Sequence, residues 1–195
     1  MVSLPQRDPH EMRPGLLPPS ILVVDDTPAD IASLLAILSE AGYRVRAAPD
    51  GDTAVEQSRA MSPDLILLDS NMPGMSGFET CRRLRQLSIL ADTPVIFMTT
   101  TWESVDRVSA FAAGGDDYVS RPFQYQEVLA RVRLHLTRRT LACELERLHR
   151  EFEKRVAART VELKTAVAEG EAVRSLLQQE NRALREQLRK SSRLR

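Results

Sequence analysis

Four short runs in this sequence end in residues that can do chemistry. Ile21-Leu22-Val23-Val24 leads into Asp25 and Asp26, Leu65-Ile66-Leu67-Leu68 into Asp69, and Val95-Ile96-Phe97-Met98 into Thr99. Asp117-Tyr118-Val119-Ser120 leads into Arg121. In a parallel sheet the carboxyl ends of the strands share one rim, so these side chains would meet there. Three carboxylates in one crevice repel each other unless a cation sits among them. Oxygen donors without cysteine or histidine suit a hard ion, and Mg²⁺ keeping several waters is the best match. A carboxylate so placed, with a hydroxyl and a guanidinium beside it, has the parts of a phosphoryl-acceptor site: one acid as nucleophile, the cations and hydroxyl on the phosphoryl oxygens. Each feature alone has a bland reading as a turn, a helix cap or an ordinary loop. Their occurrence in this order along the chain is far more specific.

The elements that must position these residues follow from the pattern. Short runs apolar on both faces are what buried parallel strands look like. Between them, Ile31, Leu34, Leu35 and Leu38 recur at helix spacing and stop at Gly42. Phe78, Cys81, Leu84 and Leu87 repeat the pattern, as do Val105, Val108 and Phe111 before Gly114-Gly115. Arg44-Val45-Arg46-Ala47 alternates like a half-exposed edge strand. Strand and helix thus alternate five times, which predicts an α/β fold with a doubly wound parallel sheet.

The charge distribution divides the chain. The net charge is zero over 195 residues, but residues 20–123 carry 8 arginines against 15 acids, and residues 124–195 carry 17 basic groups against 10 acids. Residues 1–19 hold five of the eleven prolines and read as a flexible leader. Residues 20–137 read as the α/β domain, and 138–195 as a coiled-coil helix. From Gln124 onward there is no proline and one glycine, Gly170. Leu141, Leu145, Leu148, Phe152, Val156, Leu163, Val167, Leu177, Leu184 and Leu188 form a narrow seam with one stutter, the signature of a coiled coil. Nothing resembles a membrane span or a secretory signal, and two widely spaced cysteines exclude a disulfide scaffold. The expected location is cytoplasmic.

On these residues, 20–137 resembles the receiver domain of bacterial two-component response regulators. The matching stretches are Ile21–Asp26, Leu67–Gly77, Pro94–Thr99 and Gly114–Phe123. The resemblance implies strand order 2-1-3-4-5 and phosphorylation of Asp69 by a histidine kinase. It implies Mg²⁺ organised by Asp25, Asp26, Asp69 and the backbone carbonyl of Asn71, with Asp25 acting through water. Thr99 and Tyr118 would be the switch pair, and the bond before Pro122 would be cis. One position departs from the family: Arg121 stands where it carries lysine. Arginine keeps the charge but is planar, longer and more weakly hydrated. It is expected to hold the phosphoryl oxygen with altered switching.

A phosphatase of the haloacid-dehalogenase kind is excluded by spacing, since Thr27 occupies the position two beyond Asp25. No enzyme activity is expected beyond hydrolysis of the chain's own aspartyl phosphate. The expected output is a parallel homodimer through the C-terminal helix, with Asn181 in its seam and a hinge near Gly170. The alternatives are an adaptor with a weakly responsive receiver, or part of a larger regulator such as a sigma-54-type activator. Nucleic acid is an unlikely partner, because Glu144, Glu146, Glu151 and Glu153 interleave the helix arginines. His10, His135 and His149 read as surface residues, and Met98 and Trp102 as packing residues.

Overall fold

A computed structural model describes residues 17–99 and 104–192. It contains β1 (Ser20–Val24), α1 (Pro28–Glu40), β2 (Arg44–Ala48), α2 (Gly51–Met61), β3 (Leu65–Asp69) and α3 (Gly77–Arg85). A 3₁₀ turn at Ser88–Leu90 precedes β4 (Val95–Thr99), α4 (Ser104–Ala112), β5 (Asp117–Ser120) and α5 (Tyr125–Ser192). The five strands are all parallel, in the order β2-β1-β3-β4-β5. The leader and Trp102 lie largely or wholly outside the described residues.

Position in the sheet explains each strand's composition. β1, β3 and β4 are central and buried at every residue, as their unbroken apolar runs require. β2 alternates exposed and half-buried positions at one edge. Because side chains alternate across a strand, each central strand feeds two cores. Leu22, Val24, Ile66, Leu68, Val95 and Phe97 meet Ala54 of α2, Cys81 and Leu84 of α3, and Ala110 of α4. Ile21, Val23, Leu65, Leu67, Ile96 and Met98 meet Leu34 and Leu38 of α1 and Val128, Val132 and Leu136 of α5. The α5 trio recurs every fourth residue, which keeps one face on the sheet. Burying each such aliphatic side chain contributes about 1.5–3 kcal/mol.

Local signals fix the helix starts. Pro28 opens α1, where a missing N–H costs nothing. The Asp50 carboxylate accepts the Thr53 N–H at 2.7 Å at the start of α2, and Ser76 Oγ accepts the Glu79 N–H at the start of α3. Arg85 is a structural arginine. It donates to the carbonyls of Gly114, Leu90 and Thr93 and to the Asp116 carboxylate, pinning α3 to the loops around β4.

One expectation is corrected here and another is refined. The helix read from Val108 and Phe111 is present as α4, but these two are 70% and 56% exposed, and the buried residues are Ala110 and, just past the helix, Ala113. The backbone at the end of α4 runs so close to the Phe97 ring that a Cβ on Gly115 would lie 2.5 Å from it. His135 is not a surface residue. It is 6% exposed, with Nε2 3.0 Å from Asp117 Oδ2. His149 is exposed, and His10 lies outside the described residues.

The chain divides into two compact units, Met1–Ala142 and Cys143–Arg195. The second is helical through Ser192 and runs unbroken across Gly170. Its seam residues are open: Leu145 is 70% exposed and Phe152 65%. Flanking pairs such as Arg147–Glu144 and Arg155–Glu151 join residues three or four apart along the helix.

Candidate functional site

The rim at the carboxyl ends of β1 and β3 brings Asp25, Asp26 and Asp69 together. One carboxylate oxygen of each lies within 4.8 Å of the others. Asp25 is fully buried, Asp69 is 5% exposed and Asp26 is exposed. This is a closed floor with one open side, built entirely of hard oxygen donors. The donor set fits a magnesium ion.

Backbone groups orient the acids. Asp25 Oδ1 accepts the Thr27 N–H at 2.8 Å, and Asp69 Oδ1 accepts the Asn71 N–H at 3.4 Å. Gly77 makes the loop after β3 possible. A Cβ there would lie 2.0 Å from the Asp69 carbonyl oxygen, so α3 can begin this close to the site only with glycine.

Burial pushes the Asp69 carboxyl up to about 6. The Arg121 guanidinium and the Asn71 N–H pull it down, while Asp25 and Asp26 push it further up. Burial also raises Asp25, against the Thr27 N–H and Arg121, which favour its charged form. Burial thus favours the protonated form of both acids, and the Arg121 guanidinium opposes it.

Arg121 follows β5 and reaches into the cluster. Its side chain is 14% exposed. Nη2 donates to Asp25 Oδ2 and lies 3.7 Å from Asp69 Oδ1. Nη1 donates to Asp30 Oδ2 at 2.7 Å. The Arg121 Cζ sits 5.1 Å from the centre of the Phe123 ring, and the bond before Pro122 is cis. Asp30 was not evident from the sequence. An acid in the first turn of a helix reads as a partner for the helix dipole, and nothing local shows that it faces a residue 91 positions away.

Thr99 is 6% exposed and ends β4, one residue beyond Met98, which pairs in register with Asp69. Tyr118 pairs in register with Phe97 and packs against the first core. The Arg131 guanidinium of α5 lies 5.2 Å from the Tyr118 ring centre. Arg131 also donates to Asp117 Oδ1 at 2.7 Å, and Asp117 contacts His135. Burial alone would raise the Asp117 carboxyl, but hydrogen bonds from His135, Arg131 and the Tyr118 N–H outweigh it and leave it lowered. Arg139 is likewise engaged, donating to Asp64 Oδ1 at 3.3 Å.

Residues 21–133 match the response regulator receiver domain, more than half of the chain, and the chain belongs to that family. The DNA-binding dual master transcriptional regulator RpaA of Synechocystis is 44% identical over 121 residues, 62% of this chain and 50% of RpaA. The DNA-binding response regulator MtrA of Mycolicibacterium smegmatis is 41% identical over 118 residues, 60% of this chain and 50% of MtrA. The chain thus spans about half the length of the curated relatives it matches. Among solved structures, the receiver domain of the sensor histidine kinase PA1611 from Pseudomonas aeruginosa, described with a magnesium ion in its active-site cleft, superposes with a TM-score of 0.58 at 29% identity. It covers 62% of this chain and 98% of its own. The receiver domain of a putative LuxO repressor protein from Vibrio parahaemolyticus gives 0.62 at 26% identity, with 67% and 98% covered.

These relatives correct one expectation. Nucleic acid as an unlikely partner conflicts with the DNA-binding regulators among them. Charge interleaving on one helix describes that helix alone, and half of each relative lies beyond the matched receiver. Among the described residues, no helix is long and apolar enough to cross a membrane.

Proposed function

We propose that this receiver accepts a phosphoryl group on Asp69 from a histidine kinase and passes its state on through α5. The observation that carries the reading is the placement of Asp69 beside Asp25 and Asp26, with Arg121 reaching the same carboxylates. An Asp69 oxygen attacks phosphorus as the bond to the kinase's histidine nitrogen breaks, and the ring keeps that electron pair. Water later cleaves the acyl phosphate and restores the carboxylate, the only reaction proposed for the chain. Asp25, Asp26, Asp69 and the Asn71 carbonyl would hold Mg²⁺, which supplies neutralising charge for the phosphoryl oxygens. Thr99 donates its hydroxyl to one of those oxygens, and Arg121 contributes a second cation. Tyr118, a β5 residue packed on the first core and capped by Arg131, moves with Thr99.

The output we propose is a parallel homodimer through the seam of α5. Support comes from its open apolar residues at coiled-coil spacing. The test of the acceptor is intact mass after incubation with acetyl phosphate and Mg²⁺. The parent gains one phosphoryl group and Asp69→Asn does not; a gain retained in that variant rejects Asp69 as the acceptor.

A second reading is favoured by the relatives, which are transcriptional regulators. In it the receiver serves transcriptional control and meets DNA as part of a longer assembly. Crosslinking the protein to the genome in its own cells and sequencing the coprecipitated DNA tests this, and no enrichment over cells carrying Asp69→Asn would reject it.

A further inference from the structure

We infer that Asp30 is a positioning residue that parks the Arg121 guanidinium across the acidic cluster, so that Arg121 and a divalent cation compete for Asp25. The inference rests on the proposed reading of the cluster as the Mg²⁺ site.

Both oxygens of Asp25 are already committed, Oδ1 to the Thr27 N–H and Oδ2 to Arg121 Nη2. The other arm of the guanidinium is fixed by Asp30. Arg121 thus forks between two carboxylates on different segments, one buried at the end of β1 and one in the first turn of α1. A lysine could not reproduce this fork, because its three donors sit on one compact nitrogen rather than on the two arms of a planar group. The third donor, Nε, is buried without a hydrogen-bond partner, so the guanidinium depends on its two ends. A cation entering among Asp25, Asp26 and Asp69 meets one already seated on Asp25. The arginine must leave, and Asp30 is the group that resists its leaving.

The direction of the effect separates this latch from a static ion pair. If Arg121 stayed in place, replacing Asp30 by asparagine would remove a negative charge near the metal and weaken its binding. If Asp30 holds a movable competitor, the same change frees Arg121 and strengthens metal binding. Asp30 is 34% exposed and belongs to neither core, and asparagine matches its shape, so the variant should fold.

The test is calorimetric titration of the full chain with MgCl₂, with Mn²⁺ electron paramagnetic resonance as a second readout. Asp30→Asn should bind about fivefold more tightly than the parent, the scale of losing one partly exposed ion pair. Asp30→Glu should restore parental affinity. Arg121→Lys should also bind more tightly, and adding Asp30→Asn to it should give no further gain. An unchanged or weaker affinity in Asp30→Asn overturns the inference, as does an equal gain in the Arg121→Lys background. If no variant binds Mg²⁺, the inference falls together with the proposed metal site. If the parent binds Mg²⁺ and takes phosphate while Asp30→Asn matches it, the latch alone fails. If the titrations behave as stated but Asp69 takes no phosphate, the latch stands and the phosphoacceptor reading fails.

Discussion

Replacing Asp69 with asparagine should stabilise the metal-free protein, and the gain should depend on pH. Burial moves the Asp69 carboxyl from an ordinary value of 3.8 to about 6. At about 1.4 kcal/mol per decade, keeping it ionised in the folded state costs roughly 3 kcal/mol. Because its folded value lies above its unfolded one, the folded state binds the extra proton. The associated stability is fully present below pH 3.8 and is lost as pH rises through about 6. Asparagine keeps the shape and removes the charge, but it leaves an amide partly unsatisfied at a cost of about 1–2 kcal/mol. At pH 8 the variant should therefore be more stable by about 1–2 kcal/mol. At pH 4 it should be equal to the parent or less stable. Urea unfolding followed by near-ultraviolet circular dichroism is a suitable assay, since Tyr43, Tyr118 and Tyr125 all lie in the sheet-bearing unit. Saturating Mg²⁺ should stabilise the parent and not the variant, by mass action. A difference that is flat from pH 4 to pH 8 would refute the assignment of the strain to a buried, ionised Asp69.

Gly77→Ala should cost about 2–3 kcal/mol and slow phosphorylation, because its Cβ would lie 2.0 Å from backbone at Asp69; unchanged stability would show that the loop yields freely. Asp117→Ala should cost about 1–3 kcal/mol by leaving the buried His135 and Arg131 without their shared partner, and a loss below 0.5 kcal/mol by the same assay would be too small for that account. Since the Asp117 carboxyl is lowered, its contribution is present above the ordinary carboxylate value and should fade in the parent as pH falls through its folded one. Arg121→Lys should change the lifetime of the phosphorylated state, read by the decay of the mass increment, and an unchanged lifetime would remove Arg121 from that step. Asn181→Leu should raise the melting temperature and replace a single dimeric mass with mixed oligomers by light scattering, whereas a monomer throughout would reject the seam.

How much the sequence decided depends on the range of the interaction concerned. The central strands were legible because a strand buried on both faces is apolar at all but its end residues. β1, β3 and β4 therefore read as unbroken apolar runs, and their ends placed Asp25, Asp26, Asp69 and Thr99 on one rim. The helical run of α5 was legible for another reason, since from Gln124 onward the chain carries no proline and a single glycine. The choice of partner across the fold had no such local signal. α4 shows an apolar pair at Val108 and Phe111, yet the fold leaves both exposed and buries Ala110 and, just past the helix, Ala113. His135 looked like one more polar residue on a charged helix until β5 placed Asp117 against it. Arg121 could be recognised as a cation at the rim, but its grip on Asp30 arises only when α1 and the end of β5 fold side by side. Sequence periodicity thus fixed which residues line the rim, while the tertiary structure decided which cation holds Asp25 and what holds that cation in turn.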